Sequence, residues 1–462
     1  MELHERISAR SAAFEPAQHE GGHDPFAEIK NRIHLDLVSE LGPRLFDVTD
    51  SESVRVTVLA EIRARLQQEG ALAHDDRERL TAEIADDVFG YGPLERLLND
   101  PTISEVMVNG CDNIWIEREG RLAQTPLRFS DESQLRRIIT KMVGQIGRRI
   151  DESSPMVDAR LPDGSRVNAI IPPLSLSGPL LTIRRFAKER YDLEELISIG
   201  TTSRDAADFL CASIRADLNI LISGGTGSGK TTMLNALSAY VPESDRIVTI
   251  EDAAELQLKQ RHVVRLESRP KNIEGAGEVT IRDLVRNALR MRPDRILVGE
   301  VRGAEALDML QAMNTGHEGS LSTIHANSPR DALNRLETMV LMAGYELPVK
   351  AIREHVAAAL DVIVQLDRVA DGTRKIMEVV EVQRMEGDII TLQQLFRFKL
   401  DRVDADNMVV GRLEPTGLRP LFLPKFARHG IELPESMFGD KTTAMFGIEN
   451  GQPVEWQAAG ER

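Results

Sequence analysis

Residues 219–237 read NILISGGTGSGKTTMLNAL, a short apolar run, a glycine-rich loop and the start of an amphipathic run. From Gly224 to Thr231 the stretch fits G-x-x-x-x-G-K-[ST], placed after a predicted strand and opening a predicted helix. That context separates a phosphate-binding loop from an ordinary glycine-rich turn. Glycines let backbone N–H groups turn inward on phosphate, and the helix N-terminus adds positive potential. Gly224, Gly225, Thr226, Gly227, Ser228 and Gly229 are therefore the expected cradle. Lys230 is expected to reach the β and γ phosphates and Thr231 to hold Mg²⁺, with Thr232 beside it. ATP and Mg²⁺ are the cofactors this implies.

Working outward, short apolar runs alternate with helical patterns: NILIS, RIVTIE, VVRLE, RILVGE and SLSTIH. Such alternation predicts an α/β fold with a largely parallel sheet covered by helices. In such sheets the chemistry sits at the carboxyl ends of the strands. RIVTIED ends in Glu251 and Asp252, and RILVGEVRG carries Glu300. Gly299 occupies the position just ahead of Glu300 where an aspartate is usual. Glu300 is the candidate water-polarising base and Glu251 its partner at the metal, while Asp252 also reads as a helix N-terminal carboxylate.

The stretch TGHEGSLSTIHANSP holds two candidate catalytic histidines, His317 and His325. Zinc needs three or four ligands, and apart from Glu318 no donor flanks them. A nucleophile needs a strained elbow that LSTIH lacks. By itself His325 reads as a core histidine. At the end of a third strand beside the phosphate loop, its imidazole can instead hydrogen-bond the carboxylate that orients water, or sense the γ-phosphate.

With 462 residues the chain exceeds one ordinary core, so two or three domains are expected. No apolar run approaches the roughly 18 residues of a membrane span, and the N-terminus MELHERISAR has no secretory core. A cytoplasmic protein is expected. Cys111 and Cys211 cannot build a disulfide framework or a four-cysteine zinc module. The net charge of −16 argues against broad nucleic-acid or anionic-membrane binding. Between Arg121 and Arg190, however, 13 Lys and Arg stand against 7 Asp and Glu. That segment should face something anionic.

Four regions are expected: a disordered tail at 1–27, a helical bundle at 28–100, a mixed α+β (PAS-like) domain at 101–195, and a RecA-like ATPase domain with a C-terminal extension at 196–462. The tail is polar and Pro/Gly-punctuated. The bundle rests on three amphipathic stretches, and the mixed domain on strand-like hairpins around a helix, DESQLRRIITKMVGQIG.

The boxes GGTGSGKTT, TIEDAAEL, ILVGEVRG and TGHEGSLSTIHANSP, in that order, resemble the Walker A loop, aspartate box, atypical Walker B and histidine box of secretion-motor P-loop ATPases. The segments FGYGPLERLLNDPTISEVMVNG, ARLPDGSRVNAIIPPLSLSGPLLTIRRF and GRLEPTGLRPLF further resemble CpaF/TadA-type ATPases of tight-adherence (Flp) pili. The resemblance implies a ring of six subunits driving pilin movement through inner-membrane platform proteins, peripheral to that membrane through those partners. It also implies that Arg160, Arg166, Arg184 and Arg185 present guanidiniums to phosphate, from the same or a neighbouring subunit, with Arg302 and Arg335 as weaker candidates. The planar guanidinium fork suits phosphoryl oxygens. Rival readings are a type IV secretion traffic ATPase moving effectors or DNA, and a nucleotide switch without productive hydrolysis.

Overall fold

The run at 220–224 becomes a strand, β7, at the centre of a nine-stranded sheet in this computed structural model. Described are residues 26–45, 51–69, 72–118, 120–185, 191–271, 276–404 and 408–438, with two short strands at 446–449 and 452–455. The tail expected at 1–27 lies outside them, but for its last two residues. The chain divides into two compact units, 1–188 and 189–462.

In the first unit, helices α1 (Ala27–Leu45), α2 (Ser51–Gln68) and α3 (His74–Phe89) bury Leu37, Val58, Ile62, Leu66, Leu80 and Ile84. Spacings of four, as at 58, 62 and 66, put these side chains on one helix face. A six-stranded antiparallel sheet follows, built from β1 (Ile103–Asn109), β2 (Ile114–Arg118), β3 (Arg121–Gln124), β4 (Met156–Arg160), β5 (Arg166–Ile170) and β6 (Leu180–Arg184). Its order is β3-β2-β1-β6-β5-β4. Alternation along β5 and β6 buries Val167, Ala169, Leu181 and Ile183 and turns their neighbours to the other face. Helix α4 (Glu132–Gly144) covers the buried face with Leu135, Ile138, Ile139, Met142 and Val143. Asp131 caps it, accepting the Gln134 N–H at 2.7 Å.

In the second unit the sheet order is β15-β14-β13-β12-β7-β11-β10-β8-β9. The parallel part comprises β7 (Ile220–Gly224), β8 (Ile247–Glu251), β9 (Val263–Glu267), β10 (Arg295–Val301), β11 (Leu321–His325) and β12 (Val362–Arg368). Strands β13 (Arg374–Glu386), β14 (Ile389–Val403) and β15 (Val409–Pro415) extend it antiparallel. Every residue of β7 and β8 is buried, as expected where both faces are covered. One face packs on α5 (Arg204–Arg215) and α6 (Lys230–Ser238). The other packs on α7 (Ile281–Ala288), α8 (Glu305–Asn314), α9 (Pro329–Met342) and α10 (Val349–Ala359). The fold is α/β, and among the described residues no helix is long and apolar enough to cross a membrane.

Candidate nucleotide site

Because β7, β8, β10 and β11 run parallel, their carboxyl ends share one edge of the sheet. The phosphate loop leaves β7 there. Gly227 and Gly229 hold φ of 69° and 94°, a region that L side chains rarely adopt. A Cβ at Gly224 would stand 2.4 Å from Ser228 Oγ and 2.7 Å from Leu366 O, so the backbone closes against its surroundings. A Cβ at Gly225 would meet nothing within 4 Å, leaving an open face of backbone. Lys230, at the first turn of α6, folds back to donate to Gly224 O at 3.0 Å and Gly225 O at 2.8 Å. Thr226 is exposed; Thr231 and Thr232 are half-buried.

Register pairs His325 with Gly224, which sets this residue beside the first glycine of the loop. Glu251, ending β8, is 3% exposed. Its Oε2 accepts the N–H groups of Glu255 and Leu256 at 2.7 Å each, and its Oε1 has no hydrogen-bond partner. Burial pushes this carboxyl above its ordinary pKa, partly offset by those two amides. Glu300 is more open. Arg302 donates to its Oε2 through Nε at 2.8 Å and Nη2 at 2.6 Å, and reaches Asp252 Oδ2 at 3.3 Å. Along β10 the register against β11 slips by one residue between Val298 and Val301. Irregularities of this kind re-aim side chains near functional sites.

His317 lies elsewhere. It precedes β11 and so sits at the opposite, amino edge of the sheet, its Nδ1 2.9 Å from Pro293 O. Sequence proximity to His325 concealed this, because a five-residue strand separates the two ends. Among the described residues no group of three or more His, Cys, Asp or Glu could hold a metal alone. Mg²⁺ does not demand one, since it is commonly held by one or two protein oxygens together with substrate phosphates. The unpartnered Oε1 of Glu251 and the Thr231 hydroxyl at the loop suit that role.

The arginines of the first unit fall into two kinds. Arg160, Arg166 and Arg184 face one another across β4, β5 and β6 in register, and Arg184 Nε lies 3.6 Å from Glu105 Oε1 on β1. Like charges directly opposite on a sheet are destabilising, so such a ladder suits an anion. Arg185 is instead bound to the backbone carbonyls of Asp100 and Ile103.

Sequence reading missed Arg374, whose Nε donates to the loop carbonyl of Gly227 at 3.1 Å. It also missed Arg368, whose Nη1 lies 3.9 Å from where a Gly227 Cβ would be. The hairpin joining β12 to β13 delivers both, and only the strand order puts that hairpin beside β7.

Residues 87–397, well over half of the chain, match the type II/IV secretion system protein family. The chain belongs to this family. A Mycobacterium tuberculosis protein named for conjugal transfer is 40% identical over 66% of this chain and 87% of its own length. Conjugal transfer protein TrbB of Rhizobium radiobacter is 35% identical over 62% and 85% respectively. The VirB11 ATPase of the Brucella suis type IV secretion system, crystallised with sulphate, is 32% identical over 63% of this chain and 92% of its own, with a TM-score of 0.35. That superposition is loose, and the family assignment rests on the sequence matches. Membership of this family makes the chain a secretion-system protein and implies nucleotide binding.

Proposed function

We propose that the chain is a Mg²⁺-dependent ATPase that works as a ring of six subunits and powers pilus assembly through an inner-membrane platform. The observation that carries the ATPase reading is the convergence of the phosphate loop, Glu251, Glu300 and His325 on one sheet edge. ATP with Mg²⁺ supplies a polarised γ-phosphoryl group when bound. Lys230 and the inward N–H groups of Gly225 to Thr231 hold phosphate charge; Thr231 and Glu251 offer oxygens to the metal. Glu300 takes the proton of attacking water at Oε2, the atom Arg302 now engages. His325 orients Glu300 or senses the phosphate end. The ladder of Arg160, Arg166 and Arg184 offers guanidiniums to phosphoryl oxygens, from the same or a neighbouring subunit, with Arg185 bracing the strand behind it. The two units close on ATP and reopen after hydrolysis. Attachment to the membrane runs through protein partners.

The tight-adherence assignment rests on the three segments likened above to that group. A second reading, a type IV secretion traffic ATPase, is favoured by the relatives named for conjugal transfer. Two measurements decide. The ATPase rate of the purified chain with Mg²⁺, followed across protein concentration, is expected to rise steeply per subunit; no turnover at any concentration, single-turnover included, overturns the ATPase reading. A deletion strain is expected to lose surface pili, whereas intact pili with loss of conjugal or effector transfer would establish the second reading.

A further inference from the structure

Gly299 stands where an aspartate is usual, and the sheet shows what occupies the vacated space. Strands β8 and β10 pair in parallel with Ile250 opposite Val298, which sets Glu251 beside Gly299. A Cβ built on Gly299 would come 2.9 Å from Glu251 Cγ and 3.5 Å from its Cβ. The first distance is a clash. Glu251 Cγ is not the free end of a flexible chain, because its carboxylate is pinned by the amides of Glu255 and Leu256 in a buried site. Gly299 is also held, its carbonyl accepting Thr323 Oγ1 at 2.5 Å.

We propose that Gly299 is a positioning residue: the side chain it lacks is the space through which Glu251 delivers the metal-side carboxylate, so the acid expected on β10 comes from β8 instead. The two positions then form one site that holds one carboxylate. Either strand can furnish it, but not both. This rests on the reading of the chain as a Mg²⁺-dependent ATPase.

The test exchanges the carboxylate between strands in the full chain. Gly299→Ala should displace Glu251 and free the Glu255 and Leu256 amides. In the nucleotide-free protein their hydrogen exchange should quicken by at least about tenfold, since those bonds open locally. Turnover should fall about tenfold to a hundredfold, as for comparable misplacements of catalytic groups, and half-saturating Mg²⁺ should rise. Glu251→Ala should do likewise. The double variant Glu251→Ala/Gly299→Asp should regain at least about tenfold over Glu251→Ala, with its Mg²⁺ dependence moved back toward the original. The 3.5 Å separation of the two Cβ positions accommodates that exchange.

Unchanged amide exchange and Mg²⁺ dependence in Gly299→Ala would overturn the proposal. So would a double variant no better than Glu251→Ala. Should Gly299→Ala fail to fold, the double variant, free of the clash, still decides. A chain that hydrolyses no ATP would defeat the ATPase reading alone, while the exchange of the Glu255 and Leu256 amides would still test the coupling.

Discussion

The two edges of the nine-stranded sheet carry similar residue types and treat them differently. At the amino edge, Arg295 is 1% exposed and fully engaged. Its Nε meets Asp245 Oδ2 at 2.7 Å, its Nη2 meets Asp217 Oδ1 at 2.5 Å, and its Nη1 donates to Ile214 O at 2.8 Å. Asp361 there accepts the Asn219 N–H at 2.9 Å and Lys425 Nζ at 2.8 Å. His317 meets Pro293 O, and Ser320 Oγ closes on His317 O at 2.7 Å. At the carboxyl edge, Glu251 keeps an unpartnered buried oxygen and Lys230 rests on its own loop. Satisfied charges hold a fold together; a buried polar atom left without a partner calls for a water, an ion or a functional role. The charged groups named at the amino edge are all paired, while the carboxyl edge keeps a carboxylate oxygen of Glu251 without a partner.

The sharpest way to break this comparison is Glu300→Gln. Turnover should fall about a thousandfold, near 4 kcal/mol of barrier, with ATP binding and the unfolding temperature kept. A fall in stability matching the loss of activity would erase the distinction between the edges. Arg295→Met should do the reverse. It leaves Asp217 and Asp245 without their guanidinium and should cost about 3 kcal/mol of stability, read by denaturant unfolding, while folded molecules keep their turnover.

The two histidines sharpen the contrast. His325→Ala should lower turnover about tenfold with nucleotide binding kept. His317→Ala should cost about 1 kcal/mol of stability through its lost hydrogen bond and leave turnover per subunit near its original value. A strong catalytic defect in His317→Ala without loss of stability would show that the amino edge contributes to the reaction, for instance across a subunit boundary.

The smallest effect is a pH dependence. Burial raises the Glu251 carboxyl pKa in the folded chain, so its folded form holds its proton more tightly than the unfolded form. Its contribution to stability is therefore complete below the unfolded pKa, about 4.3 for glutamate, and is lost as pH rises through the higher folded value. Glu251→Gln should match the original protein in stability in mild acid and exceed it at neutral pH. Parallel unfolding profiles for the two proteins across that range would contradict this.

Much of this site was legible in the chain itself. NILIS, RIVTIE, VVRLE, RILVGE and SLSTIH are all strands, since short apolar runs between glycine-rich and polar turns have few other ways to be buried on both faces. The helix of DESQLRRIITKMVG follows from its apolar stripe and aspartate cap. Less visible were the residues that act through neighbours distant in sequence. Arg374 reaches Gly227 from 147 positions away, and no local pattern marks it. Arg185 looked equivalent to Arg184, yet the strand's alternation turns its guanidinium onto carbonyls.

By itself the sequence determined the phosphate loop, because glycine spacing, the lysine and the adjoining helix are local features whose geometry needs no partner. It also determined that Glu251 and His325 would end strands and that Glu300 would lie at the carboxyl end of another. The order of those strands, and so the sharing of one space by Gly299 and Glu251, the consignment of His317 to the far edge and the arrival of Arg374 at the loop, was decided only by tertiary structure. Strand pairing depends on side-chain packing between segments tens of residues apart, and a period of apolar residues specifies which face is buried without naming its neighbour.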